Sequence, residues 1–107
     1  MTTLSSHVLD LELGTPAGGV RVALFRGEQF VADAETSANG RIADLGGTLS
    51  AGTYRLEFHL AAYLSAHDRA APFLQRVSIE FLLDGSQAHY HVPLLVTPYA
   101  CTSYRGS

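Results

Sequence analysis

A chain of 107 residues, 47% of them hydrophobic, carries enough apolar material for one domain, 1–107, whose core needs no disulfide. Charged residues make up 16%, too few for a disordered chain, and a net charge of −3 with only 7 Lys and Arg leaves no basic surface for nucleic acid. The lone Cys101 excludes an intrachain disulfide, no apolar run nears the roughly 20 residues that span a bilayer, and Met1 to Ser6 reads as no signal peptide, so no membrane association and a cytoplasmic location are expected.

Alternation with period two dominates the chain and predicts half-buried strands. His7 falls in a first strand with Val8, Leu9 and Asp10 after it. Val20, Val22 and Leu24 then alternate with Arg21, Ala23 and Phe25. Tyr54, Leu56 and Phe58 alternate with Thr53, Arg55 and Glu57, and Val77, Ile79 and Phe81 with Arg76, Ser78 and Glu80. Turn residues bound these runs at Gly14 to Gly19, Ser37 to Gly40, Gly46-Gly47, Ala51-Gly52 and Asp84 to Ser86. Leu60, Tyr63, Leu64 and His67 recur at helical spacing, which predicts one short helix over 60–70, stopped before Pro72. The pattern is that of an all-β sandwich of about eight strands with one short helix.

The last stretch reads differently. From His89 to Val96 the chain is apolar on both parities, so both faces of that strand are expected to be covered. Pro93 lacks an N–H and is expected at a bulge, an edge or a contact surface. Pro98-Tyr99 reads as a turn into a last strand through Tyr104. Tyr90, Val92, Leu94 and Leu95, with Tyr99 and Tyr104, amount to more apolar surface than a small monomer hides, which points to oligomerisation.

His89 and His91 share one face of a strand. Three readings are open for them: a pair of metal ligands completed by His7 or a carboxylate, a catalytic histidine, or two sheet-surface histidines. By itself His7 reads as a surface or core histidine, Arg41 after the Asn39-Gly40 turn as a solvated loop arginine, and Cys101 as a small buried residue. No phosphate loop, Gly-x-Ser-x-Gly elbow or Cys-x-x-Cys motif is present.

Four segments together carry a family resemblance: Leu4-Ser5-Ser6-His7-Val8-Leu9-Asp10, Asn39-Gly40-Arg41, His89-Tyr90-His91-Val92-Pro93-Leu94-Leu95, and Tyr104-Arg105-Gly106-Ser107. By these motifs the chain resembles the 5-hydroxyisourate hydrolases, the transthyretin-related enzymes of urate breakdown. The resemblance implies a transthyretin-like β-sandwich and a homotetramer with active sites at subunit contacts. It implies cofactor-free, metal-free hydrolysis of a cyclic amide, giving 2-oxo-4-hydroxy-4-carboxy-5-ureidoimidazoline. His91 and His7 match active-site histidines, and either could be the general base. Arg41 matches a substrate-orienting arginine and Tyr104 a substrate contact. Ser107, with its hydroxyl and a terminal carboxylate, matches a residue near the reacting centre. Gly106 permits close approach of a tail that closes the pocket, and Arg105 is expected to anchor that tail through a carboxylate. Phe73 to Val77 and Ala100-Cys101 depart from the family's usual residues, outside the catalytic set. Two non-catalytic alternatives remain: a hormone-type carrier of the same fold, and a zinc-binding protein using His7, His89 and His91.

Overall fold

The computed structural model describes residues 1–107. The chain runs β1 (Thr3–Asp10), β2 (Thr15–Pro16), β3 (Arg21–Arg26), β4 (Gln29–Glu35), β5 (Arg41–Ile42), β6 (Gly52–Phe58), α1 (Leu60–Ala66), β7 (Val77–Leu83), β8 (His89–Val96) and β9 (Cys101–Ser103). Two sheets pack face to face. One has the order β4-β3-β6-β7; the other has β2-β1-β8-β9, with β5 also paired to β1. The expected sandwich is present. Its strand count exceeds eight because β2 and β5 are two-residue pairings on β1.

Alternation does the work it promised. On β6, Tyr54, Leu56 and Phe58 are buried, while Thr53, Arg55 and Glu57 reach toward solvent. Leu4 and Val8 from β1, Val22 and Leu24 from β3 and Leu94 and Val96 from β8 complete the inter-sheet core. Each fully buried side chain of this size contributes about 1.5–3 kcal/mol by leaving water. No helix is long and apolar enough to cross a membrane.

The helix is shorter than the periodicity suggested. It stops at Ala66 because Asp68 adopts a left-handed φ of 55°, and the N–H groups of His67 and Arg69 both close onto the Leu64 carbonyl. With seven residues and no side-chain N-cap, α1 cannot stand alone. Buried Leu60, Tyr63 and Leu64 dock it on the sandwich. Tyr63 also donates a 2.8 Å hydrogen bond to Asp10 at the end of β1, and Arg69 closes a salt bridge onto the same carboxylate.

Three expectations need correction. Tyr90, Val92 and Leu94 form no exposed patch: they are core residues, because the even positions of β8 face the opposite sheet. Cys101 is exposed, since β9 is an edge strand and presents it to solvent. Pro93 lies on an interior strand. It is tolerated there because β9 ends at Ser103, so the ladder is interrupted where Pro93 faces Tyr104, and the Ser103 hydroxyl caps the Pro93 carbonyl instead.

Candidate active site

β1 and β8 run parallel in one unbroken register from Thr3–His89 to Asp10–Val96. Parity on β1 buries Leu4, Ser6 and Val8 and turns Thr3, Ser5 and His7 to the outer face of the sheet. The same parity on β8 brings His89 and His91 to that face, with His91 directly beside Ser5. Two segments separated by more than eighty residues thus build one polar surface.

Arg41 arrives from the other edge of β1, where β5 pairs it with His7. The turn before it is held by Gly40 N–H donating to the Ser37 carbonyl and by Val8 N–H donating to the Gly40 carbonyl. Gly40 has φ +79°, and a Cβ there would collide with the Val8 carbonyl oxygen. Only glycine lets this turn lie flat on β1 and deliver Arg41.

The tail closes the third side. Gly106 N–H donates to the His91 carbonyl at 2.6 Å, and the two residues form an isolated bridge. A Cβ on Gly106 would sit 2.6 Å from His91 Cδ2, so the bare backbone lies against the imidazole. Ser107 then reaches the pocket. Ser5, Ser6, Arg41, Ile42, Ala43, His89, His91 and Ser107 line an open cavity of about 340 Å³.

Within this pocket the imidazole of His91 is half-buried. Its Nδ1 lies 2.7 Å from Ser5 Oγ, its only side-chain hydrogen bond, and Nε2 has no protein partner. Burial pushes its pKa below the ordinary 6.5, and the positive charge of Arg41 and the neighbouring His7 and His89 push the same way. A neutral imidazole at neutral pH is therefore built in.

The remaining expected residues lie at or beyond the rim. His7 turns its Nε2 to the Asn39 carbonyl at 3.0 Å, so that nitrogen carries a proton and Nδ1 is the free one. His7 does not line the pocket. Tyr104 is 58% exposed and, with Arg105, lines a different cavity of about 280 Å³ between β7, β8 and the tail. Arg105 makes no ion pair, contrary to the expected anchor; the Gly106–His91 bridge does that work. The histidines do not converge as a metal site, because Thr3 and Ser5 occupy both nitrogens of His89 and no group of three His, Cys, Asp or Glu side chains comes together. Sequence reasoning passed over Ser5. Its parity with His7 was visible, but its partnership with His91 depends on a parallel register between the two ends of the chain.

A transthyretin-type sandwich with a polar pocket on its outer sheet agrees with the comparisons to known proteins. The chain belongs to the HIUase/Transthyretin family, whose model matches residues 4–106. It is 45% identical to a 5-hydroxyisourate hydrolase of Deinococcus radiodurans, over 97% of this chain and 95% of that one. The solved 5-hydroxyisourate hydrolase of Klebsiella pneumoniae superposes with a TM-score of 0.92 at 40% identity, with both chains fully covered. Transthyretin from Sparus aurata has a TM-score of 0.88 at 29% identity, covering 96% of this chain and 95% of that one.

Proposed function

We infer that this chain is a hydrolase that opens the six-membered ring of 5-hydroxyisourate during urate breakdown. The observation that carries the reading is the convergence of Arg41, His91 and Ser107, from three separate segments, on one polar pocket. Cleavage of a cyclic amide needs an activated water and stabilisation of the tetrahedral oxyanion. His91 is the general base in this reading: its Nε2 is unpartnered and its pKa is lowered, so it is neutral and ready to take a proton from water. Arg41 supplies a planar fork of donors for the substrate's carbonyl oxygens and offsets the charge that develops on one of them. Ser107 positions the water or passes the proton. His7 assists from the rim through its free Nδ1. No cofactor is required by these steps.

A hormone-type ligand, largely apolar, is poorly matched to a pocket whose only apolar lining residues are Ile42 and Ala43. The working unit in this proposal is a single domain, 1–107, assembled as a homotetramer in the cytoplasm. The exposed unpaired thiol of Cys101 suits a reducing compartment. Within one chain Tyr104 faces away from the pocket, so its expected substrate contact is retained only toward the pocket of a second copy. The test is spectrophotometric decay of freshly generated 5-hydroxyisourate. Decay faster than the spontaneous background supports the assignment; decay at the background rate sinks it.

A further inference from the structure

A catalytic imidazole usually has its second nitrogen held by a carboxylate, which fixes the tautomer. No Asp or Glu side chain faces His91. The charged and titratable side chains around it are His7 from β1, Arg41 from β5 and His89 on its own strand, and Ser107 at the end of the tail lines the same pocket. Its Nδ1 is held instead by Ser5 Oγ at 2.7 Å, and the same oxygen lies 2.7 Å from His89 Nε2. His89 Nδ1 is in turn 2.6 Å from Thr3 Oγ1, which lies 3.5 Å from the Ala88 carbonyl oxygen. These atoms form a single chain of hydrogen bonds on the open face of the sheet.

Its direction follows from proton counting. A serine hydroxyl has one proton, so Ser5 donates to one imidazole and accepts from the other. The far end of the chain is a carbonyl, which only accepts. That end favours Thr3 donating to Ala88, His89 Nδ1–H donating to Thr3, Ser5 donating to His89 Nε2, and His91 Nδ1–H donating to Ser5. The same arrangement survives when His91 takes a proton, because Nδ1–H is already a donor in the neutral ring. The reverse arrangement would require the Ser5 hydroxyl to turn over at each protonation, a reorganisation that a preorganised site avoids.

We propose that Ser5 and His89 are positioning residues that hold His91 with its proton on Nδ1, leaving the Nε2 lone pair free for the water; this rests on the reading of His91 as general base. A hydroxyl orients the ring without the charge of a carboxylate, so the chain sets the tautomer and leaves the imidazole weakly basic.

Nitrogen-detected NMR of the histidine rings tests this independently of activity. In the wild-type protein near neutral pH, His91 should show a protonated Nδ1 and a bare Nε2. Ser5→Ala should move its population toward the opposite tautomer and lower kcat about 10- to 100-fold, with KM little changed. His89→Ala should give a smaller loss of the same kind, and Ser5→Thr, which keeps the hydroxyl, should restore both tautomer and rate. A wild-type His91 protonated on Nε2, or a tautomer indifferent to Ser5→Ala, would overturn the proposal. Full activity of His91→Ala, alongside a tautomer that Ser5 still sets in proteins retaining His91, would instead remove the base assignment and leave the positioning role standing.

Discussion

At the scale of single residues, the character of His91 comes from what surrounds it. Burial lowers its pKa first and the Arg41 guanidinium adds to this, so proton affinity should change when that charge is removed. The base form is the deprotonated one. The rate should therefore be constant at neutral pH and fall only as pH drops through a value below 6.5. In Arg41→Gln the acidic limb of the pH–rate profile should move upward, toward the ordinary histidine value, on top of a loss of turnover. Arg41→Lys should restore the limb and not the rate, because a point charge cannot reproduce the fork. His91→Ala should lose roughly 10²-fold or more in turnover with its fold intact by circular dichroism. An unmoved limb in Arg41→Gln would show that its charge does not reach the imidazole.

At the scale of elements, the tail and the β1–α1 junction serve different ends. The tail adds little apolar burial but shapes the pocket, so Gly106→Ala should separate activity from stability. The new methyl must displace the His91 ring or the tail, since it would lie 2.6 Å from Cδ2. Turnover should drop at least about tenfold, an order-of-magnitude cost of a sub-ångström misplacement, while the melting temperature barely moves. Deleting Tyr104 to Ser107 should abolish turnover in the same manner. Asp10 shows the converse. Burial alone would raise its pKa, yet hydrogen bonds from Arg69, Tyr63 and the Leu13 N–H outweigh that and hold it below the ordinary 3.8. A depressed carboxyl stabilises the fold above its unfolded value and loses that contribution as pH falls through the folded one. Asp10→Ala should cost about 1–3 kcal/mol in urea unfolding, because the buried Tyr63 hydroxyl loses its acceptor while Arg69 keeps only its pairing with Glu12. It should also remove part of the stability loss seen in acid. Much of this scale was legible beforehand. Period-two alternation identifies β3, β6 and β7 because each has one wet and one dry face. β8 escapes it: with apolar residues on both parities, the pattern does not say which set enters the core, and Tyr90, Val92 and Leu94, expected among a surplus of apolar surface, enter it. Motifs named His91, Arg41 and Ser107, but the Ser5–His91 contact depends on strand pairing that no local signal encodes.

For the whole molecule, the apolar residues left uncovered are only in part those the sequence suggested: Tyr99 and Tyr104 are among them, Leu82 is an addition. Leu82, Tyr99 and Tyr104 are each more than half exposed. Leu82 and Tyr104 border the cavity between β7 and the tail, at the edges of both sheets. A tetramer that covers these edges would account for them, and light scattering should then give a mass near four chains of 11.5 kDa. Substituting Leu82→Glu should lower that mass, since a charge on a buried apolar contact is costly. A monodisperse monomer with full activity would contradict the tetramer.

The parallel pairing of β1 with β8 has a consequence for how the protein is made. Within this domain β1 leaves the ribosome before the strands it pairs with, and its main partner strand is 86 residues behind it, as the Thr3–His89 pairing fixes. Until then the first strand has only β2 and β5 to hold, four residues in all. The other sheet, β4-β3-β6-β7, is complete by Leu83 and can collapse first. Within this domain one wall of the pocket is thus made before the opposite sheet and its paired wall after it. A stalled nascent chain should be half a sandwich with an unpaired, aggregation-prone strand and no hydrolytic capacity. Such non-local closure belongs with the slower class of small-domain folding, milliseconds to seconds. Arrested chains released at residue 88 and at residue 107 should therefore differ sharply in protease resistance of β1.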